Sequence, residues 1–115
     1  MLLLRNQTAY LSNPDGRELG KVRIDRIEGD LVLGAFTPGA DFDAVRPVFV
    51  AFEEAVERQV LSEVDRLDRE IAAIQLCVRN GTEGAEAVRD VQIYRDGGVS
   101  FRLSAVAERN GVHHA

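Results

Sequence analysis

The chain contains 115 residues, of which 45% are hydrophobic and 29% charged, and its formal net charge at pH 7 is −5. Its length suits one globular domain, and its apolar content is too high for intrinsic disorder. Its basic residues form no run, so binding to nucleic acid or to a membrane is not expected. Cys77 is the only cysteine. A disulfide within the chain is therefore excluded, and a reducing, cytoplasmic location is expected.

The first third of the sequence predicts antiparallel strands joined by turns. Pro14 and Gly16 occupy positions that a β-turn favours, so a strand at Thr8–Leu11 should pair with one that begins near Leu19. Apolar and charged residues alternate in this second strand until Ile27 breaks the phase, which indicates a β-bulge nearby. The apolar run that follows, at positions 31–36, is typical of a strand covered on both faces.

The middle of the sequence predicts one long amphipathic helix. Asp41 and Asp43 precede it, where carboxylates stabilise a helix N-terminus. No glycine or proline occurs between Pro47 and about Arg69. Apolar residues recur there at steps of three and four, at Val45, Phe49, Phe52, Val56, Val60, Val64, Leu67 and Ile71. That spacing places them on one face of a helix.

The last third predicts strands again. Residues 74–78 alternate in polarity, and a hairpin is expected from Val91–Arg95 and Val99–Leu103 around a glycine turn. The predicted fold class is therefore α+β: an antiparallel sheet of about five to six strands, with one long amphipathic helix packed on one face and the order strands, helix, strands. Residues 1–104 should form a single domain, and residues 105–115 a flexible tail.

Residues suited to catalysis are scarce. His113 and His114, the only histidines, lie in the predicted tail, and Cys77 has no partner that the sequence places beside it to activate its thiol. Phosphate-binding and zinc-binding motifs are missing from the sequence. No catalytic residue, cofactor or metal site is therefore predicted, and a non-enzymatic function is favoured.

The helix carboxylates are an alternative source of chemistry. Glu53 and Glu57 lie four residues apart, a spacing able to hold a metal ion, although carboxylate sites usually need further oxygen ligands in a shaped loop. Glu63 lies near the edge of the apolar face. Its carboxyl group is interpreted either as one of raised pKa or as an arginine-paired edge residue, and the second reading is favoured.

Two surfaces are candidates for binding. The outer sheet face is expected to present arginines and polar residues able to contact an acidic partner or an oligonucleotide. Its candidate residues are Arg23, Arg79, Gln92, Tyr94 and Arg102. On the helix, Val50 and Leu61 lie eleven residues apart on nearly the same azimuth, away from the main apolar face. Two exposed aliphatic residues there are candidates for self-association.

The sequence thus favours a non-catalytic protein-interaction or accessory module, with a protein partner or a second copy of the chain as the ligand. The alternative is a small-ligand-binding, anion-binding or enzymatic domain that uses the helix carboxylates or the arginine-rich sheet face.

Overall fold

The helices lie between two groups of three strands along the chain. The structure is a computed structural model that describes residue 3 and residues 5–80 and 85–103. Its elements, in chain order, are β1 (Thr8–Ser12), β2 (Glu18–Glu28), β3 (Leu31–Pro38), a 3₁₀ turn (Ala40–Ala44), α1 (Arg46–Glu57), α2 (Leu61–Ile74), β4 (Cys77–Arg79), β5 (Glu86–Ile93) and β6 (Gly98–Leu103). The order strands, helices, strands is the predicted one. Within the described residues, no helix is long and apolar enough to cross a membrane.

The strands form one antiparallel sheet that closes on itself. Its order is β1-β2-β3-β6-β5-β4, and β4 returns to pair with β1. The α+β class with an antiparallel sheet is therefore confirmed. The sheet is a closed barrel, however, and not an open sheet with the helix on one face. Each strand thus has two neighbours, although the ladder between β4 and β5 joins only Cys77 to Ala87 and Val78 to Glu86.

A bulge and a glycine explain how the sheet bends enough to close. The register of β2 against β3 shifts between Ile24 and Arg26, which confirms the predicted bulge. Gly34 lies opposite Ile24 and Val99, and a Cβ atom there would approach the carbonyl oxygen of Arg23 to 2.2 Å. The backbones can approach this closely only because Gly34 has no side chain.

The prediction of one long helix is wrong, because the chain reverses between α1 and α2. Gln59 has a φ of 57°, in the left-handed region. Its N–H donates to the oxygen of Val56, and the N–H of Val60 donates to the oxygen of Ala55. These two bonds form a Schellman motif, which commonly ends helices at a glycine. Here a glutamine occupies the glycine position, so the sequence carries no visible stop signal.

The barrel interior and the helices share one hydrophobic core. Among the buried residues are the apolar side chains of the predicted hairpin: Val91, Ile93, Val99, Phe101 and Leu103. Phe42, from the 3₁₀ turn, contacts Phe36 of β3 edge-on with ring centroids 5.0 Å apart, and it stacks on Phe49 of α1 at 5.9 Å. Three aromatic rings therefore fix the start of α1 to the barrel.

Two boundaries differ from the prediction. The second helix continues to Ile74, five residues beyond Arg69, and ends at Gln75, a second non-glycine residue of positive φ (60°). The strand predicted at 74–78 is consequently shorter and later, at Cys77–Arg79. The predicted tail, 105–115, lies outside the described residues.

Candidate functional site

The apolar face of α1 becomes exposed toward the end of the helix. Phe49 and Phe52 are buried against the core, whereas Val56, the next residue at helical spacing, is 48% exposed. Burial of an apolar side chain is the main stabilising contribution of an amphipathic helix, and Val56 makes only part of that contribution. The apolar face of α1 thus continues beyond the region that the core covers.

The apolar face of α2 likewise becomes exposed, here toward the N-terminal end of the helix. Ile71 and Leu67 are buried, Val64 is half-buried, and Leu61 at the first position of the helix is 75% exposed. Val60, between the helices, is 38% exposed. Val56, Gln59, Leu61 and Val64 together line an open groove of about 330 Å³. We call Val56, Gln59, Val60, Leu61 and Val64 the hairpin tip.

The α1–α2 hairpin is attached to the barrel close to this tip. Glu53 accepts a hydrogen bond from the backbone N–H of Arg95 at 2.9 Å, and Glu57 accepts one from the Arg95 guanidinium at 2.9 Å. The charge of Glu53, followed by the hydrogen bond that Arg95 donates to Glu57, raises the pKa of Arg95. The last turns of α1 are therefore held to the β5–β6 turn by polar contacts, which leaves Val56 without an apolar cover.

Two carboxylates of α2, those of Glu63 and Glu70, are paired with one arginine. Arg66 donates to Glu63 at 2.6 Å and also to Glu70. The hydrogen bond and charge of Arg66 lower the pKa of Glu63. The reading of Glu63 as an arginine-paired edge residue therefore holds, and the alternative of a raised pKa is wrong. Among the described residues, no group of three or more histidine, cysteine or acidic side chains is placed to hold a metal ion.

The barrel separates the arginines that were expected on one sheet face. Arg23 is on β2, Arg79 on β4 and Arg102 on β6, and no two of these strands are neighbours. Each arginine has its own acidic partner: Arg23 pairs with Asp25 at 3.1 Å, Arg79 with Glu18 at 3.6 Å, and Arg102 with Asp30 at 2.7 Å. These arginines therefore do not form one continuous anion-binding surface.

Three of the remaining predicted surface residues, Gln92, Tyr94 and Val50, lie close to the β5–β6 turn. The Tyr94 hydroxyl donates to the side-chain oxygen of Gln92, next to the β5–β6 turn. Val50 is half-buried and lines a small cavity with residues that include Ile93 and Tyr94. Because Val50 is on α1 and Leu61 on α2, the two residues do not share the helix face that was predicted. Only Leu61 is part of the hairpin tip.

A cleft also lies between α2 and β5. It measures about 210 Å³ and is lined by Asp68, Ile71, Ala72, Leu76 and residues 88–91. Pockets for small molecules usually enclose about 300 Å³ or more. Arg89, its one basic residue, is bonded to Asp30 and Asp90. The cleft is thus smaller than a typical ligand pocket, and the charge of Arg89 is balanced by its two acidic partners.

Sequence reasoning found Leu61 but misassigned its neighbours. Val56, Val60 and Val64 were expected within the buried helix face, because four-residue spacing alone does not show where the core ends. His113 and His114 lie outside the described residues, and Cys77 is half-buried on β4. Comparison of the chain with protein-family models, with curated proteins and with solved structures finds no match.

Proposed function

We propose that the protein is an interaction module that binds a protein partner through the hairpin tip. The observation that supports this proposal is the exposure of Leu61, at 75%, beside two further exposed valines. Contiguous apolar groups on a protein surface mark contact sites, whereas single exposed aliphatic residues need no explanation. Leu61 lines an open apolar groove, and a groove of this kind can receive the apolar side chains of a partner segment.

The proposal is tested by photo-crosslinking in living cells. A photoreactive phenylalanine analogue is placed at Leu61 and, as a control, at Ala73, an exposed residue near the other end of α2. We expect a defined protein adduct from position 61 that is absent from position 73 and disappears when Val56→Asp is added. Equal adducts from both positions, or none from position 61, would contradict the proposal.

Self-association is a second form of the same proposal. Light scattering on a size-exclusion column, with the wild type beside Leu61→Asp and Ser62→Asp, separates it from binding to a different protein. Both substitutions add one charge at neighbouring exposed positions, but only the first removes an apolar side chain of the tip. A dimer that Leu61→Asp alone dissociates would identify a second copy as the partner.

A further inference from the structure

We infer that the hairpin tip binds a different protein, through a short segment in which aliphatic side chains are flanked by arginine or lysine. This inference rests on the proposed function and specifies the partner. It is drawn from the area of the tip and from the charge of the helices that carry it.

The area of the tip argues against a stable dimer of this chain. A standard protein interface covers about 800 Å² on each partner, with 20 to 30 residues per side. The hairpin tip offers four aliphatic side chains, of which only Leu61 is more than half exposed. A surface of this size suits a short peptide segment that inserts a few side chains, as in helix-in-groove recognition.

The charge of the two helices also argues against a dimer and favours a basic partner. Residues 46–74 contain seven acidic residues and four arginines, and with Arg95, which pairs with Glu53, Glu54 and Glu57, the hairpin and its attachment carry a net charge of −2. Asp65 lies one helical turn after Leu61, and side chains at that spacing are neighbours on a helix surface. Two copies meeting tip to tip would bring two acidic hairpins together, whereas a basic segment would be attracted.

Two labelled peptides test the inference directly. Both are designed as helices with leucines at positions i, i+3, i+4 and i+7, and they differ only in flanking residues, which are arginines in one and glutamates in the other. Binding to the full chain is measured by fluorescence anisotropy. We expect the arginine-flanked peptide to bind at least about tenfold more tightly than the other, with a Kd that rises with salt concentration.

Two variants separate the apolar contribution from the charge. Leu61→Asp should weaken binding of the arginine-flanked peptide about tenfold although it adds a negative charge, because the anchor side chain is lost. Ser62→Asp should leave the Kd within about twofold. Asp65→Lys should reduce the difference in Kd between the arginine-flanked and the glutamate-flanked peptide, because it reverses a charge one helical turn from Leu61.

Each other outcome overturns the inference. Equal binding of the two peptides removes the charge argument, and binding that Leu61→Asp does not change places the contact elsewhere. If neither peptide binds while position 61 still crosslinks to a protein in cells, the proposed function stands and the partner chemistry is wrong. If position 61 gives no adduct in cells, the proposed function itself fails.

Discussion

The carboxylate of Glu53 lies between the backbone N–H of Arg95, at 2.9 Å, and the guanidinium of the same residue, at 3.5 Å. One side chain of α1 thereby binds both the main chain and the side chain of the turn that joins β5 to β6. This contact attaches the second half of α1 to the barrel, as the aromatic contacts of Phe42 attach the start of the helix.

Glu53→Ala should lower the melting temperature by about 4 °C, because it leaves the backbone N–H of Arg95 without its acceptor, whereas the guanidinium keeps Glu54 and Glu57. Glu57→Ala, which removes only the more exposed contact to the guanidinium, should have a smaller effect. Thermal unfolding followed by circular dichroism measures both. Equal effects of the two substitutions would show that the bond to the main chain is unimportant.

Gly34→Ala should destabilise the protein by about 2 kcal/mol or more, because the added methyl group overlaps the main chain of Arg23. The matched control is Gly98→Ala. A Cβ atom there meets the side chain of Asp96 first, at 3.2 Å, and a surface side chain can move. Urea unfolding gives both free energies. A harmless Gly34→Ala would mean that β2 and β3 do not approach as closely as described.

Gln59→Gly should stabilise the protein by about 0.5–1 kcal/mol, because glycine adopts the left-handed conformation without the strain that a Cβ atom causes. Ala73→Gly is the control and should cost about 1 kcal/mol, since it places glycine inside α2. Denaturant midpoints measure both changes. A destabilising Gln59→Gly would indicate that the helix continues through this residue, as the sequence alone suggests.

Leu61→Asp should leave the free energy of unfolding within about 0.5 kcal/mol of the wild type, because the side chain is largely exposed already. Val50→Asp should instead cost about 1–2 kcal/mol, since it places a charge in a half-buried site beside Ile93. Urea unfolding distinguishes the two. A large loss for Leu61→Asp would mean that Leu61 belongs to the core.

The effect of Glu63→Gln on stability should depend on pH. A carboxyl group with a lowered folded-state pKa contributes stability above its ordinary pKa, and the contribution is lost as the pH falls through the folded-state value. The melting-temperature difference from the wild type should therefore be present at pH 7 and shrink as the pH falls below about 4. In an Arg66→Gln background, Glu63→Gln should have little effect at any pH.

The strands and their polarity could be predicted from the sequence. Alternation on β2 and in the hairpin of β5 and β6 follows from the period of two in a strand, and the turns contain proline, whose φ is fixed, and glycine, which adopts a positive φ without strain. The bulge near Ile27 was detectable because it breaks that period. The apolar face of the helical segment followed in the same way from its 3.6-residue period.

Closure of the barrel, the break at Gln59 and the exposure of Val56 were decided only by the tertiary structure. Local periodicity shows which side chains face inward but not how far a sheet curves, and a glutamine gives no signal that it will adopt a positive φ. Val56 and Val64 have the same spacing as the buried Phe52 and Leu67. Whether an apolar residue is covered depends on which distant segments pack over it, and the position of the hairpin on the barrel settles that.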